Sequence, residues 1–550
     1  LKFENHLIIF QSLFYEEKMN LDKDLLSIQE ARNLAKQAKE TQLEFKHYNQ
    51  KQVDKIVASM ADAGYKAAEK LAKMAHEETG FGRWQDKVIK NQFGTKDVYE
   101  SIKDLKTVGV IDVQKNGKIV KIAEPMGVVA ALIPSTNPTS TAMFKSIISL
   151  KTRNAIVGSP HPRAVECTQE AMNIMNEAAV KAGAPDGLIH CMSNPTIEGT
   201  DALMKDKNIA VILATGSTPM VKAAYSTGNP AYGVGSGNVP AFIEKTANVS
   251  KAVKDIIYGT SFDYGTLCSS EQSMIVDRSV KDKAIEEAKK NGGYFVNDDE
   301  KKKLENAVIK NGKINPEIVG KSASFIADYA GFKVPEDTKV LIAFCNSVGR
   351  QEPLSMEKLS PTLAFYTVDG WLEGCHRCIE LLKFGGIGHT MAIHSNDNDI
   401  IMKFALEKPA FRIVVNTPSS VGAVGYTTSL YPSLTLGVGT WGGSIVSENV
   451  TAYHLMNIKT LAFENRPVNM DNSINMFAAE SHKPIGASTI QNNISSGFME
   501  EIENRLKARA GNPPSQTKVD KQNPVKEEKP KFGKGISETD INKIIREFNS

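Results

Sequence analysis

The sequence predicts an α/β protein built on two doubly wound parallel sheets, with a small β-hairpin arm between elements of the first. Three observations predict it. From Gly127 onward, short apolar runs alternate with amphipathic stretches, the signature of βαβ units. The run Gly127 to Ile133 shows no polar alternation, as expected of a strand covered by helices on both faces. The same alternation then resumes after residue 240, so the pattern is laid down twice.

Residues 1–18 precede the first helical periodicity and are expected to be a disordered N-terminal extension. Residues 20–80 read as consecutive amphipathic helices, with Leu25, Ile28, Ala31 and Leu34, then Val53, Ile56, Val57 and Met60, on their apolar faces. Val108 to Val113 and Ile119 to Ala123 flank Asn116-Gly117, which supplies the positive φ of a tight turn. This hairpin, residues 106–123, is expected to be an oligomerisation arm, giving a dimer or tetramer. Residues 19–105 and 124–239 then form the first domain. Its strands are expected at Gly127–Ile133, Ala155–Val157, Leu188–Met192 and Ile209–Ala214, and its helices at 139–151, 163–182 and 198–206. Residues 240–435 form the second domain. Its strands are expected at Ala241–Glu244, Gln272–Val276, Lys339–Ala343, Leu363–Thr367, Met391–His394 and Phe411–Val415.

Residues 436–510 are expected to return to the body and the arm. Composition shifts near Gly511, and residues 511–535 are rich in Pro, Lys and acids with little apolar content, which predicts a disordered linker. Within residues 536–550, Ile541, Ile544, Ile545 and Phe548 recur at i, i+3, i+4 and i+7. That spacing predicts a short amphipathic helix that needs a groove to bury its stripe.

Composition narrows the function. A formal net charge of +3 over 550 residues argues against a nucleic-acid surface. No apolar run approaches the ~20 residues of a membrane helix, and no export signal is visible. Six scattered cysteines predict free thiols rather than a disulfide framework. Cys375-His-Arg-Cys378 lacks a second ligand pair, so no metal site is expected there. Its thiols are assigned to a helical packing stripe with Trp371, Leu372, Ile379 and Leu382.

One cysteine stands apart. Ser261-Phe-Asp-Tyr-Gly-Thr-Leu-Cys268-Ser-Ser-Glu-Gln places a thiol in a Gly-containing loop just before a buried strand, where it can face a cleft. Other segments accompany it: Glu124-Pro-Met-Gly-Val-Val, Ile133-Pro-Ser-Thr-Asn-Pro-Thr-Ser-Thr141, Asn154-Ala-Ile-Val-Gly-Ser-Pro-His-Pro-Arg163, Gly385-Gly-Ile-Gly-His-Thr390 and Ser447-Glu-Asn-Val-Thr451. With these, residues 105–460 resemble the CoA-acylating aldehyde dehydrogenases of the aldehyde dehydrogenase superfamily, in the monofunctional, microcompartment-associated form.

The resemblance implies an aldehyde dehydrogenase-like fold and reversible, NAD-dependent oxidation of a short-chain aldehyde, acetaldehyde or propionaldehyde, to acyl-CoA. Cys268 would be the nucleophile and Asn137 a side-chain oxyanion donor, although between two prolines Asn137 also reads as a turn former. NAD and coenzyme A would lie against Ile133, Pro134, Ser135, Pro160 and His161. Further contacts would come from Thr215, Gly216, Ser217 and Thr218, the dinucleotide loop before a helix N-terminus, and from Gly235 and Glu357. Val221 and Ser159 depart from the family's usual glycine and lysine. His389 either shapes the site or packs in its loop.

Hydrolytic relatives carry a glutamate in Glu-Leu-Gly-Gly-Lys-Ser-Pro that activates water. The matching stretch is Tyr232-Gly-Val-Gly-Ser-Gly-Asn-Val-Pro240, with Gly233 expected in the glutamate's place and no acidic side chain within reach of the sulfur. Two competing readings remain: a hydrolytic (semi)aldehyde dehydrogenase using another base, and a catalytically inactive scaffold of the same fold. The C-terminal helix is expected to bind a microcompartment shell protein, and the chain to be cytoplasmic, inside such a compartment.

Overall fold

A computed structural model describes residues 22–466. The expected extension at 1–18, the linker at 511–535, the helix at 536–550 and most of 436–510 lie outside the described residues. Four helices open the described chain: Lys23–Phe45, Gln50–Lys66, Ala68–Thr79 and Trp84–Gln92. The first three bury apolar faces, among them Ala31, Ala35, Val53, Ile56, Met60 and Leu71. The fourth differs, because its buried residues are Asp86, Lys87, Lys90 and Asn91.

The hairpin forms from β1 (Gly109–Gln114) and β2 (Ile119–Pro125). Its turn is shifted by one residue from the expected Asn-Gly pair. The Gly117 N–H donates to Gln114 O over 3.2 Å, so Lys115 and Asn116 (φ 50° and 55°) are the central residues. Gly117 (φ 84°) follows as a third left-handed residue.

The first parallel sheet contains β3 (Val128–Ile133), β4 (Ala155–Pro160), β5 (Ile189–Cys191), β6 (Ile209–Thr215) and β7 (Ala231–Val234), in the order β5-β4-β3-β6-β7. The chain leaves β3 toward one edge and returns at β6 toward the other. That reversal opens a crevice at the carboxyl ends of β3 and β6, where doubly wound sheets bind ligands. Helix Pro138–Lys151 is buried along its whole length. Its Lys145 ties the crevice together, with Nζ donating to Leu132 O and Leu213 O at 2.8 Å each.

The second sheet has seven strands. They are β8 (Val239–Ile243), β9 (Glu271–Asp277), β10 (Gly293–Phe295), β11 (Val340–Phe344), β12 (Thr362–Val368), β13 (Gly388–His394) and β14 (Ala410–Val415). All pairs are parallel, in the order β10-β11-β12-β9-β8-β13-β14. Finally β15 (Met456–Ala462) pairs antiparallel with β2 and completes a three-stranded sheet on the hairpin.

Cys375 and Cys378 are buried in helix Gly370–Phe384 with Leu382, and Trp371 and Ile379 pack against the same core, so a single member of the expected stripe departs from it. Leu372 is 52% exposed, and Leu381 and Leu382 take the inner face with the two thiols. Among the described residues, no cluster of His, Cys, Asp or Glu is arranged to hold a metal ion, and no helix is long and apolar enough to cross a membrane.

Candidate active site

The four residues Gly235–Asn238 carry the chain from β7 of the first sheet to β8 of the second. The first two, Gly235 and Ser236, line a cleft of about 600 Å³ at the β3–β6 crevice. Its lining includes Cys268, Asn137, Ile133, Pro134, Ser135, Pro160, His161, Thr215, Gly216, Ser217, Gly235 and Glu357. Thus every site residue expected from sequence lines one cavity except Thr218. Thr218 stands just behind it, with Oγ1 3.2 Å from where a Cβ on Gly235 would lie.

Cys268 follows an unusual backbone. Asp263, Tyr264 and Gly265 are all left-handed (φ 49°, 52° and 72°). Two of these are not glycine, a conformation that needs outside support. Asp263 receives it: its carboxylate accepts from Arg83 N (2.7 Å), Lys87 Nζ (3.0 Å), Thr266 Oγ1 (2.7 Å) and Lys90 Nζ. Burial alone would raise this carboxyl, but the two ammonium groups outweigh it and hold it below the usual carboxylate range.

Asn137 is the N-cap residue of helix Pro138–Lys151, yet its side chain makes no cap bond. Its Oδ1 accepts from Lys90 Nζ at 2.5 Å, and its Nδ2 donates to Thr136 Oγ1 at 3.1 Å. The side chain is held for another purpose than capping.

The sulfur itself is not a resting thiolate. Burial pushes the Cys268 thiol up to about 12, and the Glu357 carboxylate adds to the rise. The Arg412 guanidinium and the N–H groups of Cys268 and Ser269 pull the other way. An acidic side chain therefore does stand near the sulfur, contrary to the sequence expectation. It is Glu357, the one acid among the described residues that line the cleft. Burial raises Glu357 to about 7, against a hydrogen bond from Gly237 N (2.8 Å) to Oε1 and another from Ser236.

The expected vacancy at Gly233 moves by one residue. A Cβ on Gly233 would strike Val221 Cγ1 and the Tyr225 hydroxyl, at 2.4 and 2.6 Å, so that position faces the helix Thr218–Tyr225. The alternation of a strand puts its neighbour Val234 in the cleft wall instead, and an apolar side chain stands there. The same contact accounts for Val221, which packs on the space that Gly233 leaves. Ser159 lines the cleft and shares a 2.8 Å hydrogen bond with Thr200.

Several residues of the site escaped the sequence reading. Among the described residues, Arg163 is the only Lys or Arg side chain lining the cleft. Arg412 is buried and donates to Thr390 Oγ1 and to the carbonyls of His389, Gly437 and Ser447, binding three segments beside the sulfur. His389 lies there too: its Cγ is 3.2 Å from where a Cβ on Gly237 would be. Burial, and then Arg412, push its imidazole down to about 3, so it is neutral. Its Nδ1 meets Thr390 Oγ1 at 3.0 Å, and Nε2 has no hydrogen-bond partner among the described residues.

A dinucleotide fits the crevice by its own chemistry. Ser217 caps helix Thr218–Tyr225 without a side-chain bond, which leaves the N–H groups of Thr218 and Met220 free for a phosphate, Pro219 between them having none. A Cβ on Gly216 would meet nothing closer than 3.9 Å, so the loop leaves room for a ligand.

Two doubly wound sheets joined across a cleft, with a loop cysteine and a helix N-terminus in its lining, define an aldehyde dehydrogenase-like α/β scaffold. Residues 23–311 match the model of the aldehyde dehydrogenase family. The chain belongs to that family. It is 45% identical over 441 residues to the bifunctional aldehyde–alcohol dehydrogenase of Escherichia coli (strain K12), covering 79% of this chain and 50% of that protein. The chain thus spans about half the length of the first curated relatives it matches. An acetylating aldehyde dehydrogenase from Geobacillus thermoglucosidasius superposes with a TM-score of 0.81 at 51% identity, over 82% of this chain and 100% of that one. Propionaldehyde dehydrogenase of Rhodopseudomonas palustris, solved with bound CoA and an acylated cysteine, superposes with a TM-score of 0.73 at 29% identity, over 79% and 97%.

Proposed function

We propose that this protein oxidises a short-chain aldehyde, acetaldehyde or propionaldehyde, to its acyl-CoA with NAD, reversibly, through a thioester on Cys268. The observation that carries the reading is the wall of the cleft, where Val234 stands in place of a water-activating carboxylate. Likeness to acetylating dehydrogenases supports it.

In this reading the Cys268 thiol gives up its proton to solvent once the cleft is filled, the sulfur bonds to the aldehyde carbon, and the oxygen gains negative charge as the C=O π bond opens. The Nδ2 group of Asn137 and the backbone N–H of Cys268 stabilise that charge; one such donor is typically worth ~3 kcal/mol. NAD, bound along Thr215–Thr218 and Glu357, supplies the hydride acceptor. Loss of hydride from the carbon leaves a thioester on Cys268. A CoA thiol, ionising near the ~8.5 of free cysteine, attacks the thioester carbon and releases Cys268. Gly235 and Gly237 keep bulk out of the path that this thiol would take.

The test is NADH formation from acetaldehyde and propionaldehyde with and without CoA, with the acyl product identified. Full-rate release of free acid without CoA would overturn the assignment. One observation favours that second, hydrolytic reading: Glu357, raised to about 7, lies close enough to the sulfur to affect it. Its oxygens are engaged by Gly237 and Ser236, which favours a role in holding the nicotinamide ribose. Replacing Glu357 with Gln separates the roles, since acid release would disappear while CoA-dependent turnover persisted at higher NAD concentration.

The three-stranded sheet of β1, β2 and β15 is proposed as an arm between copies in a dimer or tetramer. The C-terminal segment 536–550 is proposed to dock on a microcompartment shell protein, which would place the enzyme inside such a compartment; this rests on its apolar spacing alone. Deleting residues 511–550 should leave activity unchanged and abolish co-assembly with shell protein.

A further inference from the structure

We propose that Lys90 is a positioning residue for Asn137, holding its amide so that Nδ2 is turned away from the ammonium, with one N–H given to Thr136 Oγ1 and the other left for the cleft. This rests on reading Asn137 as the oxyanion donor.

An ammonium group has donors and no acceptor. The atom of Asn137 that faces Lys90 Nζ at 2.5 Å must therefore be the carbonyl oxygen. Reversing the amide would press N–H against N–H⁺ in a place where Lys90 is only 4% exposed. A free asparagine has no such preference between its two ends. The lysine thus converts an ambivalent side chain into an oriented donor before any substrate arrives, which is the condition for preorganised stabilisation of charge.

Lys90 is itself fixed. It projects from the polar buried face of helix Trp84–Gln92 and shares the Asp263 carboxylate with Lys87. Both ammonium groups also donate to the Thr136 carbonyl, at 3.2 and 3.5 Å, so the residue before Asn137 is held by the same pair. Thr266, two residues before Cys268, donates to the same carboxylate. One buried carboxylate therefore registers the donor's segment and the nucleophile's segment to a single helix. The other charged groups at this helix, Asp86 and Arg83, pair with each other at 2.6 Å. Burial pulls Lys90 down to about 8 although Asp263 opposes it, so Lys90 remains charged near neutral pH.

Lys87 provides a built-in control, because it shares Asp263 and Thr136 but makes no bond to the Asn137 side chain. The experiment compares Lys90→Met, Lys87→Met, Asn137→Ala and the Lys90→Met/Asn137→Ala double variant in the full chain. Each is read by the single-turnover NADH burst with aldehyde, by NAD affinity and by thermal melting. Asn137→Ala should slow the burst about 100-fold, and Lys90→Met about tenfold or more, with NAD affinity unchanged. The double variant should be no slower than Asn137→Ala, since the lysine acts through the amide. Lys87→Met should lower the melting temperature as much as Lys90→Met yet keep the burst within about threefold of wild type.

Multiplying defects in the double variant, or equal burst losses in the two lysine variants, would overturn the positioning role. An unchanged burst in Asn137→Ala would instead overturn the oxyanion reading itself. If Lys90→Met does not fold, Lys90→Gln carries the same test. Its amide can donate or accept toward Asn137, so orientation is no longer enforced and the burst should again slow. A burst at the wild-type rate in a folded Lys90→Gln chain would overturn the proposal.

Discussion

Gly237 and Cys268 meet backbone to backbone: a Cβ on Gly237 would lie 2.2 Å from the Cys268 carbonyl oxygen. The crossing between the two sheets passes directly beside the loop that carries Cys268, and only glycine permits that approach. The Gly237 N–H also holds Glu357. Gly237→Ala should therefore displace both groups at once. We expect a folded protein whose kcat/KM falls ~100-fold or more, measured with acetaldehyde and CoA. Near-wild-type turnover would mean the loop carrying Cys268 has freedom that this contact denies it.

Glu357 should make dinucleotide binding depend on pH. Its carboxyl, raised by burial to about 7, accepts hydrogen bonds fully only when ionised. As pH falls through 7 the group takes up a proton and loses acceptor strength toward a ribose diol. NAD affinity should be roughly threefold to tenfold weaker at pH 6 than at pH 8, by calorimetric titration. Glu357→Gln should be weaker throughout and flat across this range.

Glu271 should limit stability at alkaline pH. It is fully buried at the start of β9. Oε1 accepts from Ser419 N, while Oε2 has no partner among the described residues. Burial raises its carboxyl to about 8 from an ordinary value of 4.5. Between these values the folded chain keeps a proton that the unfolded chain has released. Its contribution to stability is present below 4.5, declines as pH rises, and is lost above about 8. Glu271→Gln should raise the melting temperature at pH 8, by on the order of 2 kcal/mol in stability, and change it little at pH 4.5. The remaining slope belongs in part to Glu357, which titrates in the same window.

Cys268 should be a slow thiol until the cleft is filled. With its thiol pushed up to about 12, Cys268 should be alkylated only slowly by iodoacetamide near pH 7.5, and Cys191, which burial pushes up further, more slowly still. The rate should climb ~tenfold per pH unit between 7 and 10. A bound oxidised nicotinamide brings positive charge beside the sulfur, so NAD should accelerate modification of Cys268 alone by about tenfold or more, read by peptide mass spectrometry. Equal acceleration of Cys191 would mean that the dinucleotide opens the fold rather than activating this sulfur.

The strands were legible because fully covered strands leave unbroken apolar runs of the right length. The runs expected at Ile209–Ala214 and Leu363–Thr367 recur at Ile209–Thr215 and Thr362–Val368. The cleft residues were legible because they sit in short segments at strand ends, where a few side types identify the loop. The polar helix Trp84–Gln92 was not legible, because a buried polar face has the same spacing as a solvated one. Gly233 was misplaced for a similar reason. A one-residue error along a strand exchanges the cleft face for the helix face, and only the register settles which is which.

What the sequence by itself determined is the alternation of strands and helices, and the short strand-end segments that bring Cys268, Asn137 and residues 215–217 to the cleft. Those depend on neighbours a few residues apart. Tertiary structure alone decided which charged groups serve the site. Lys90 and Asp263 are 173 positions apart and Arg412 bonds to Thr390 across 22, and each is buried only because folding supplies its partner. Desolvation and pairing act through space, so a carboxylate at 263 or a lysine at 90 acquires its role only once the two are brought together.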